Sequence, residues 1–250
     1  FFPQHKAKGQ QPHQQPQRPL TEPIAHQRPF AGMDGLFHQT GRFAAIPLVA
    51  LGGEQQLAGG ALGMSGGQGV MQAGAKAKQP FARAEAAGVA TAVLSHKGFD
   101  SRQDYDQALI AAIEQFKPDL IVLAGFMRIL TPAFVQHYHG RLLNIHPSLL
   151  PKYQGLDTHQ RAIDAADSEH GCSVHFVTEE LDGGPLVVQA VVPVESDDSA
   201  QTLAQRVHTQ EHRIYPLAVR WFAEGRLILG NQGALLDGQL LAASGHLIRT

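Results

Sequence analysis

The sequence predicts an α/β protein whose Rossmann-like, mainly parallel sheet is flanked by helices, and three observations lead there. From Phe81 onward, stretches with helical periodicity alternate with short apolar runs. One run, Leu120-Ile-Val-Leu-Ala124, is apolar on both faces, the pattern of a strand in the middle of a parallel sheet. Polar loops follow Ala124 and Asn144, and open parallel sheets hold ligands outside the carboxyl ends of their strands.

Taken in order, residues 82–87 read as the end of a helix stopped by Gly88, and 89–94 as a short buried strand. Ser101 can cap a helix over 102–116, with Tyr105, Leu109, Ala112, Ile113 and Phe116 on one stripe and Lys117-Pro118 closing it. The central strand 120–124 ends at Gly125, and Thr131-Pro132 starts another short helix. Residues 142–144 form a brief strand running into a loop that contains Pro147 and Pro151. A helix over 157–166 precedes two strands, 172–177 and 186–194, joined through Asp182-Gly183-Gly184-Pro185. Asp198 or Ser199 caps a long amphipathic helix with Leu203, Val207, Ile214, Leu217 and Trp221 on its stripe; Pro216 should kink it near Tyr215, and Gly225 should stop it.

The 250 residues allow one large domain or two small ones at about 150 per domain. Charged residues are 17%, below the roughly 25% usual in globular domains, and a net charge of -2 offers no basic field to nucleic acid. The single cysteine, Cys172, excludes an intrachain disulfide framework and a multi-cysteine zinc site, which suits a reducing, cytoplasmic setting. No run of about 18 apolar residues offers a membrane span.

These averages join two unlike parts. Residues 1–80 hold 13 Gln, 13 Gly and 8 Pro, with 7 Lys and Arg against 3 acids, whereas 81–250 carry 19 acids against 13 bases. The first thirty residues show neither strand nor helix periodicity and too little apolar surface to offset ordering entropy. Glycine pairs between Gly52 and Gly74, such as Gly66-Gly67-Gln68-Gly69, read as a flexible linker. No clear strand precedes them, no helix pattern follows, and no phosphate-loop motif is present. The start also lacks the apolar stretch of a signal peptide.

Asn144 and His146 stand two residues apart at a strand end, where extended backbone points both to the same side. An amide donor and a cationic imidazole are what a developing oxyanion needs. The alternative is a turn Asn and a His satisfied by backbone. Asp182 is either an ordinary turn residue or the carboxylate that keeps His146 protonated. His159, His170 and His175 could join His146 around a metal, yet their spacings match no zinc pattern, and no metal is expected. Met127-Arg128-Ile129-Leu130 sets a cation among apolar residues: a site for a flat ligand bearing carboxylates, or a surface Arg flanked by core. Arg102 has the same two readings, with a helix N-terminus nearby to favour an anion. Glu211 is either an exposed helix residue or an acceptor for substrate hydroxyls.

Five ordered blocks settle these alternatives by resemblance: Leu123-Ala-Gly-Phe-Met-Arg-Ile-Leu130, Leu142-Leu-Asn-Ile-His-Pro-Ser-Leu-Leu-Pro-Lys-Tyr153, Gly171-Cys-Ser-Val-His-Phe-Val177, Glu180-Leu-Asp-Gly-Gly-Pro185 and Thr209-Gln-Glu-His-Arg-Ile-Tyr-Pro216. Over about 81–227 they resemble the phosphoribosylglycinamide formyltransferases of purine biosynthesis. The resemblance implies the formyltransferase fold and a catalytic set of Asn144, His146 and Asp182. It places Arg102, Met127, Arg128, Ile129, Leu130, Asn144, Thr178, Glu179, Glu180, Leu181 and Asp182 along the folate pocket, and Glu211 on the glycinamide ribonucleotide. It also implies 10-formyltetrahydrofolate as formyl donor, small-molecule substrates without nucleic acid or membrane, a monomer or homodimer, and a cis Leu150-Pro151 bond. One departure is Asp157, where relatives often carry His, which weakens any role for His159.

The family begins with a hydrophobic strand, a Gly-x-Gly-Ser-Asn phosphate loop, a helix and a second strand, and none of these is expected here. Residues 53–62 can be back-translated, by choice among degenerate codons, so that the +1 frame gives Ser-Asn-Asn-Leu-Gln-Ala-Ala-Leu, close to the family's own sequence. Residues before about Pro80 are therefore expected to be out of frame. The expected organisation is a non-matching segment 1–80, a catalytic domain 81–227 and a tail 228–250. A folate-binding remnant without its phosphate loop is the alternative to an active enzyme. Methionyl-tRNA formyltransferase and formyltetrahydrofolate hydrolase share the chemistry but carry further domains with no counterpart in these patterns.

Overall fold

The computed structural model describes Leu48–Gly52 and Val70–Gln72 by their backbone, and residues 91–249 in full. All lie in one compact unit, Arg42–Thr250. The elements are β1 (Leu48–Gly52), β2 (Val70–Gln72), β3 (Thr91–Val93), α1 (Arg102–Glu114), β4 (Leu120–Ala124), α2 (Pro132–His137), β5 (Leu142–His146) and α3 (Thr158–Asp164). They continue with β6 (Glu169–Phe176), β7 (Leu186–Pro193), α4 (Ala200–Ala223), β8 (Leu227–Gly230), β9 (Gly233–Leu236), β10 (Gln239–Leu240) and β11 (His246–Arg249). Eight strands form one sheet in the order β11-β7-β6-β5-β4-β1-β2-β3. Its neighbours are parallel except where β6 runs against β5 and β7. The expected α/β class is therefore what the chain adopts.

Local chemistry fixes the helix starts. Ser101 accepts the Asp104 N–H at 3.1 Å, and Thr131 caps α2 ahead of Pro132. Of the two candidate caps for α4, Ser199 forms a capping box with Thr202, whereas Asp198 pairs with Arg206 at 2.6 Å. The α4 helix runs on through Pro216 to Ala223.

The core follows from alternation along β4. Leu120 and Val122 pack on the side of Val207, Ile214 and Ala218 of α4, while Ile121 and Leu123 pack with Leu109 of α1 and Phe134 of α2. The buried Tyr215 hydroxyl lies 2.6 Å from the Leu123 carbonyl and 2.9 Å from that of Leu143, tying α4 to the carboxyl end of β4 and the start of β5.

Three expectations need correction. Within the segment expected to lack strands, β1 pairs in parallel with β4, from Leu48 opposite Leu120 to Gly52 opposite Ala124, and β2 pairs with β1. A strand thus does precede the glycine pairs, and part of the expected linker is strand. The expected tail 228–250 instead supplies a three-stranded sheet, β10-β9-β8, and an edge strand, β11, parallel to β7. The brief strand expected at 142–144 extends to His146 because β6 continues the ladder beside it. The expected helix end at 82–87 and the remainder of the glycine-rich linker lie outside the described residues. Among the described residues no helix is long and apolar enough to cross a membrane.

Candidate active site

β5 delivers Asn144 and His146 to the carboxyl end of the sheet, with Asn144 opposite His175 and His146 opposite Ser173 on β6. Asp182 arrives from the β6–β7 loop in a left-handed conformation, φ 50°. That conformation is accessible to Asp because its short side chain bonds locally. The adjoining Gly184 leaves no room for a side chain, since a Cβ there would overlap the Phe176 carbonyl.

The Asp182 Oδ2 atom lies 3.4 Å from His146 Nδ1 and accepts the Gly155 N–H at 3.0 Å. On the other side of the ring, His146 Nε2 is 2.9 Å from the Tyr153 carbonyl. Both ring nitrogens therefore face acceptor oxygens. With side-chain exposures of 7% and 10%, His146 and Asp182 are shielded enough for that pairing to be weakly screened.

His175, expected from the sequence only as a metal ligand to be set aside, completes the cluster. Its Nδ1–H donates to the Phe176 carbonyl at 2.9 Å, which leaves Nε2 to accept from Asn144 Nδ2 at 3.2 Å. Burial lowers the His175 pKa and holds the ring neutral in this tautomer. His175 therefore orients the Asn144 amide, and at 3.8 Å its Nε2 is beyond hydrogen-bond reach of Asp182 Oδ1.

Behind His146, the loop is held by buried polar side chains. Ser173 Oγ donates to the Ser148 carbonyl at 2.6 Å and accepts the Leu150 N–H at 3.1 Å. Gln189 Nε2 donates to the Leu150 carbonyl and to Ser173 Oγ, at 2.8 and 2.9 Å. The Leu150-Pro151 bond in this loop is cis. His159 and His170 meet at 3.1 Å, and burial lowers both pKa values, that of His170 to about 4. Among the described residues no group of three His, Cys, Asp or Glu side chains is arranged so that it could hold a metal ion.

The remaining candidates divide. Met127, Ile129 and Leu181 are exposed apolar residues, at 65%, 58% and 54%, an arrangement suited to an apolar ligand. Leu130 and Arg128 are half-buried, and the Arg128 guanidinium carbon sits 4.8 Å above the Tyr105 ring. Thr178 is half-buried, Glu180 is exposed, and Glu179 accepts from Gln136 at 2.8 Å. Arg102 is exposed at the first turn of α1, and no contact joins it to the catalytic cluster. Glu211 on α4 is half-buried, and burial raises its carboxyl to about 7. The exposed Asp157 starts α3 in a left-handed conformation without capping it through its side chain.

Ser173 and Gln189, which hold the loop behind His146, and His175, which orients Asn144, are not among the site residues expected from the sequence. All three are polar positions inside otherwise apolar strands. A buried polar group must find a partner, so that pattern was the available signal.

A mainly parallel α/β sheet with a shielded Asn–His–Asp cluster at the carboxyl end of β5 has the layout of an open-sheet enzyme. The chain belongs to the Formyl transferase family, whose sequence model matches residues 62–219 and so begins inside the segment expected not to match. It is 60% identical over 164 residues to the phosphoribosylglycinamide formyltransferase of Escherichia coli K12, covering 66% of this chain and 77% of that protein. It is 43% identical over 153 residues to the human trifunctional purine biosynthetic protein adenosine-3, covering 61% of this chain and 15% of that protein. Among solved structures, the phosphoribosylglycinamide formyltransferase of Coxiella burnetii superposes with a TM-score of 0.76 at 44% identity, covering 82% of this chain and all of that one. A formyltetrahydrofolate deformylase from Pseudomonas syringae, at 20% identity and a TM-score of 0.68, shares the fold.

Proposed function

We propose that the chain transfers the formyl group of 10-formyltetrahydrofolate to the amine of 5'-phosphoribosylglycinamide. Two bacterial relatives, from Escherichia coli and Haemophilus influenzae, are named phosphoribosylglycinamide formyltransferases, which supports the acceptor and the group transferred. The observation that carries the mechanism is His146, held between the Asp182 carboxylate and the Tyr153 carbonyl beside the Asn144 amide.

The amine attacks the formyl carbon, and the carbonyl oxygen becomes an oxyanion. Asn144 Nδ2–H and the doubly protonated His146 stabilise it, with the oxyanion replacing the Tyr153 carbonyl as acceptor of the His146 Nε2–H hydrogen bond. The tetrahedral intermediate collapses by breaking the bond to folate N10. The amine loses a proton and N10 gains one, so no net proton is released. Asp182 keeps His146 charged and relays the proton through water. It borders a cavity of about 430 Å³ with room for such waters. The folate lies along residues 127–130 and 178–182, with Arg102 near its anionic end, and Glu211 accepts from the ribonucleotide hydroxyls.

The test is formyl transfer by the purified chain, followed as tetrahydrofolate release. Asn144→Ala should reduce kcat by roughly 10²–10³, as loss of one oxyanion donor does. Folate binding without turnover in the unsubstituted chain would overturn the proposal.

A further inference from the structure

We infer that Tyr105 is a positioning residue that aims the Arg128 guanidinium at bound folate, an inference resting on the reading of residues 127–130 as the folate wall. The strip between β4 and α2 has no regular structure, so its backbone alone does not fix the Arg128 side chain. Among the described residues no carboxylate pairs with Arg128. Its contact is instead the face of the Tyr105 ring, 4.8 Å below the guanidinium carbon.

The choice of an aromatic partner matters chemically. A carboxylate partner would occupy the in-plane N–H groups of the guanidinium, whereas a ring takes only its face and leaves that fork free for ligand acceptors. Tyr105 is well placed to be rigid. It is 1% exposed, and its ring meets the edge of Phe99 at 5.5 Å. Its neighbour Asp106, also buried, accepts the Thr131 N–H at 2.7 Å where the strip enters α2. One turn of α1 thus grips the strip twice, at the guanidinium and at its far end.

Among the described residues the buried Tyr105 hydroxyl has no hydrogen-bond partner, and burial raises it to about 12, so it stays neutral. It adds nothing to the stack, and deleting an unpaired buried hydroxyl leaves no partner unsatisfied. The ring, not the hydroxyl, is therefore the working part.

The experiment compares Tyr105→Phe, Tyr105→Leu, Arg128→Ala and the Leu/Ala double variant by steady-state kinetics, with thermal melts to verify folding. Tyr105→Leu should raise the KM for 10-formyltetrahydrofolate about tenfold, with kcat and the KM for the ribonucleotide changed less than about twofold. Tyr105→Phe should restore the wild-type KM. In the Arg128→Ala background, Tyr105→Leu should add nothing, because both changes remove one interaction. If Arg128→Ala itself leaves the folate KM unchanged, the wall reading falls and this inference with it. If Arg128→Ala raises that KM while Tyr105→Leu does not, or the two effects simply multiply, Tyr105 does not act through Arg128.

Discussion

The Glu211 carboxyl sits half-buried on α4, where burial raises its pKa from 4.5 to about 7. Below about pH 4.5 it is protonated whether the chain is folded or not, and its burial costs little. Between 4.5 and 7 the unfolded chain releases the proton and the folded one keeps it, so stability falls as pH rises. Discounted for partial exposure, the loss is on the order of 2 kcal/mol above pH 7. Glu211→Gln should therefore be more stable than the parent by about that amount at pH 8 and indistinguishable at pH 4, as read by urea denaturation. Equal stabilities at pH 8 would remove the burial argument. At this scale the catalytic candidates were legible because Asn144 and His146 share one face of an extended segment and Asp182 sits in a glycine turn. His175 was not, because its importance lies in a cross-strand contact with Asn144, 31 residues away, that no local spacing records.

At the scale of elements, the β6–β7 loop is determined by close backbone approach. Gly184 abuts the Phe176 carbonyl, so the loop can reach His146 only where this residue lacks a side chain, whereas Gly183 stands against the movable end of the Glu180 side chain. Gly184→Ala should push the loop away from β6 and move Asp182 off His146 Nδ1. The expected result is a fall in kcat of at least tenfold with a smaller effect on the KM for the ribonucleotide, measured on variant shown to be folded by its melting profile. Strands 120–124 and 186–193 were legible as compact apolar runs. Leu48–Gly52 was not, although it reads Leu-Val-Ala-Leu-Gly, because its ladder partner on β4 is distant in sequence and its neighbours are Gly- and Gln-rich. The C-terminal hairpin did carry a local signal. Asp237 and Gly238 both have positive φ, 53° and 78°, as an Asp-Gly hairpin turn between β9 and β10 requires.

For the whole molecule, the sheet carries Asn144 and His146 on the internal strand β5 and has β11 as one edge. From β5 the order runs through β6 and β7 to β11, so the last strand is three positions from Asn144 and His146. β11 covers the edge of β7 from Val188 to Val191, His246 meets the Trp221 ring edge at 5.5 Å, and Arg249 pairs with Glu169. Gly245, at φ 68°, enters β11 where a side chain would collide with the Val187 backbone. These contacts stabilise the sheet without touching the reacting groups. Deleting residues 243–250 should cost about 2–4 kcal/mol from lost ladder hydrogen bonds and apolar cover. That loss corresponds to a fall of roughly 5–10 °C in Tm. The bared β7 edge should also promote association at high concentration. At 25 °C, kcat should stay within about twofold of the parent, because β6 still holds Ser173 and His175 against β5 and β7 still supplies Gln189. A folded deletion variant with unchanged Tm would show that β11 contributes no stability, and one that melts normally but has lost turnover would show that the edge strand reaches the catalytic cluster after all.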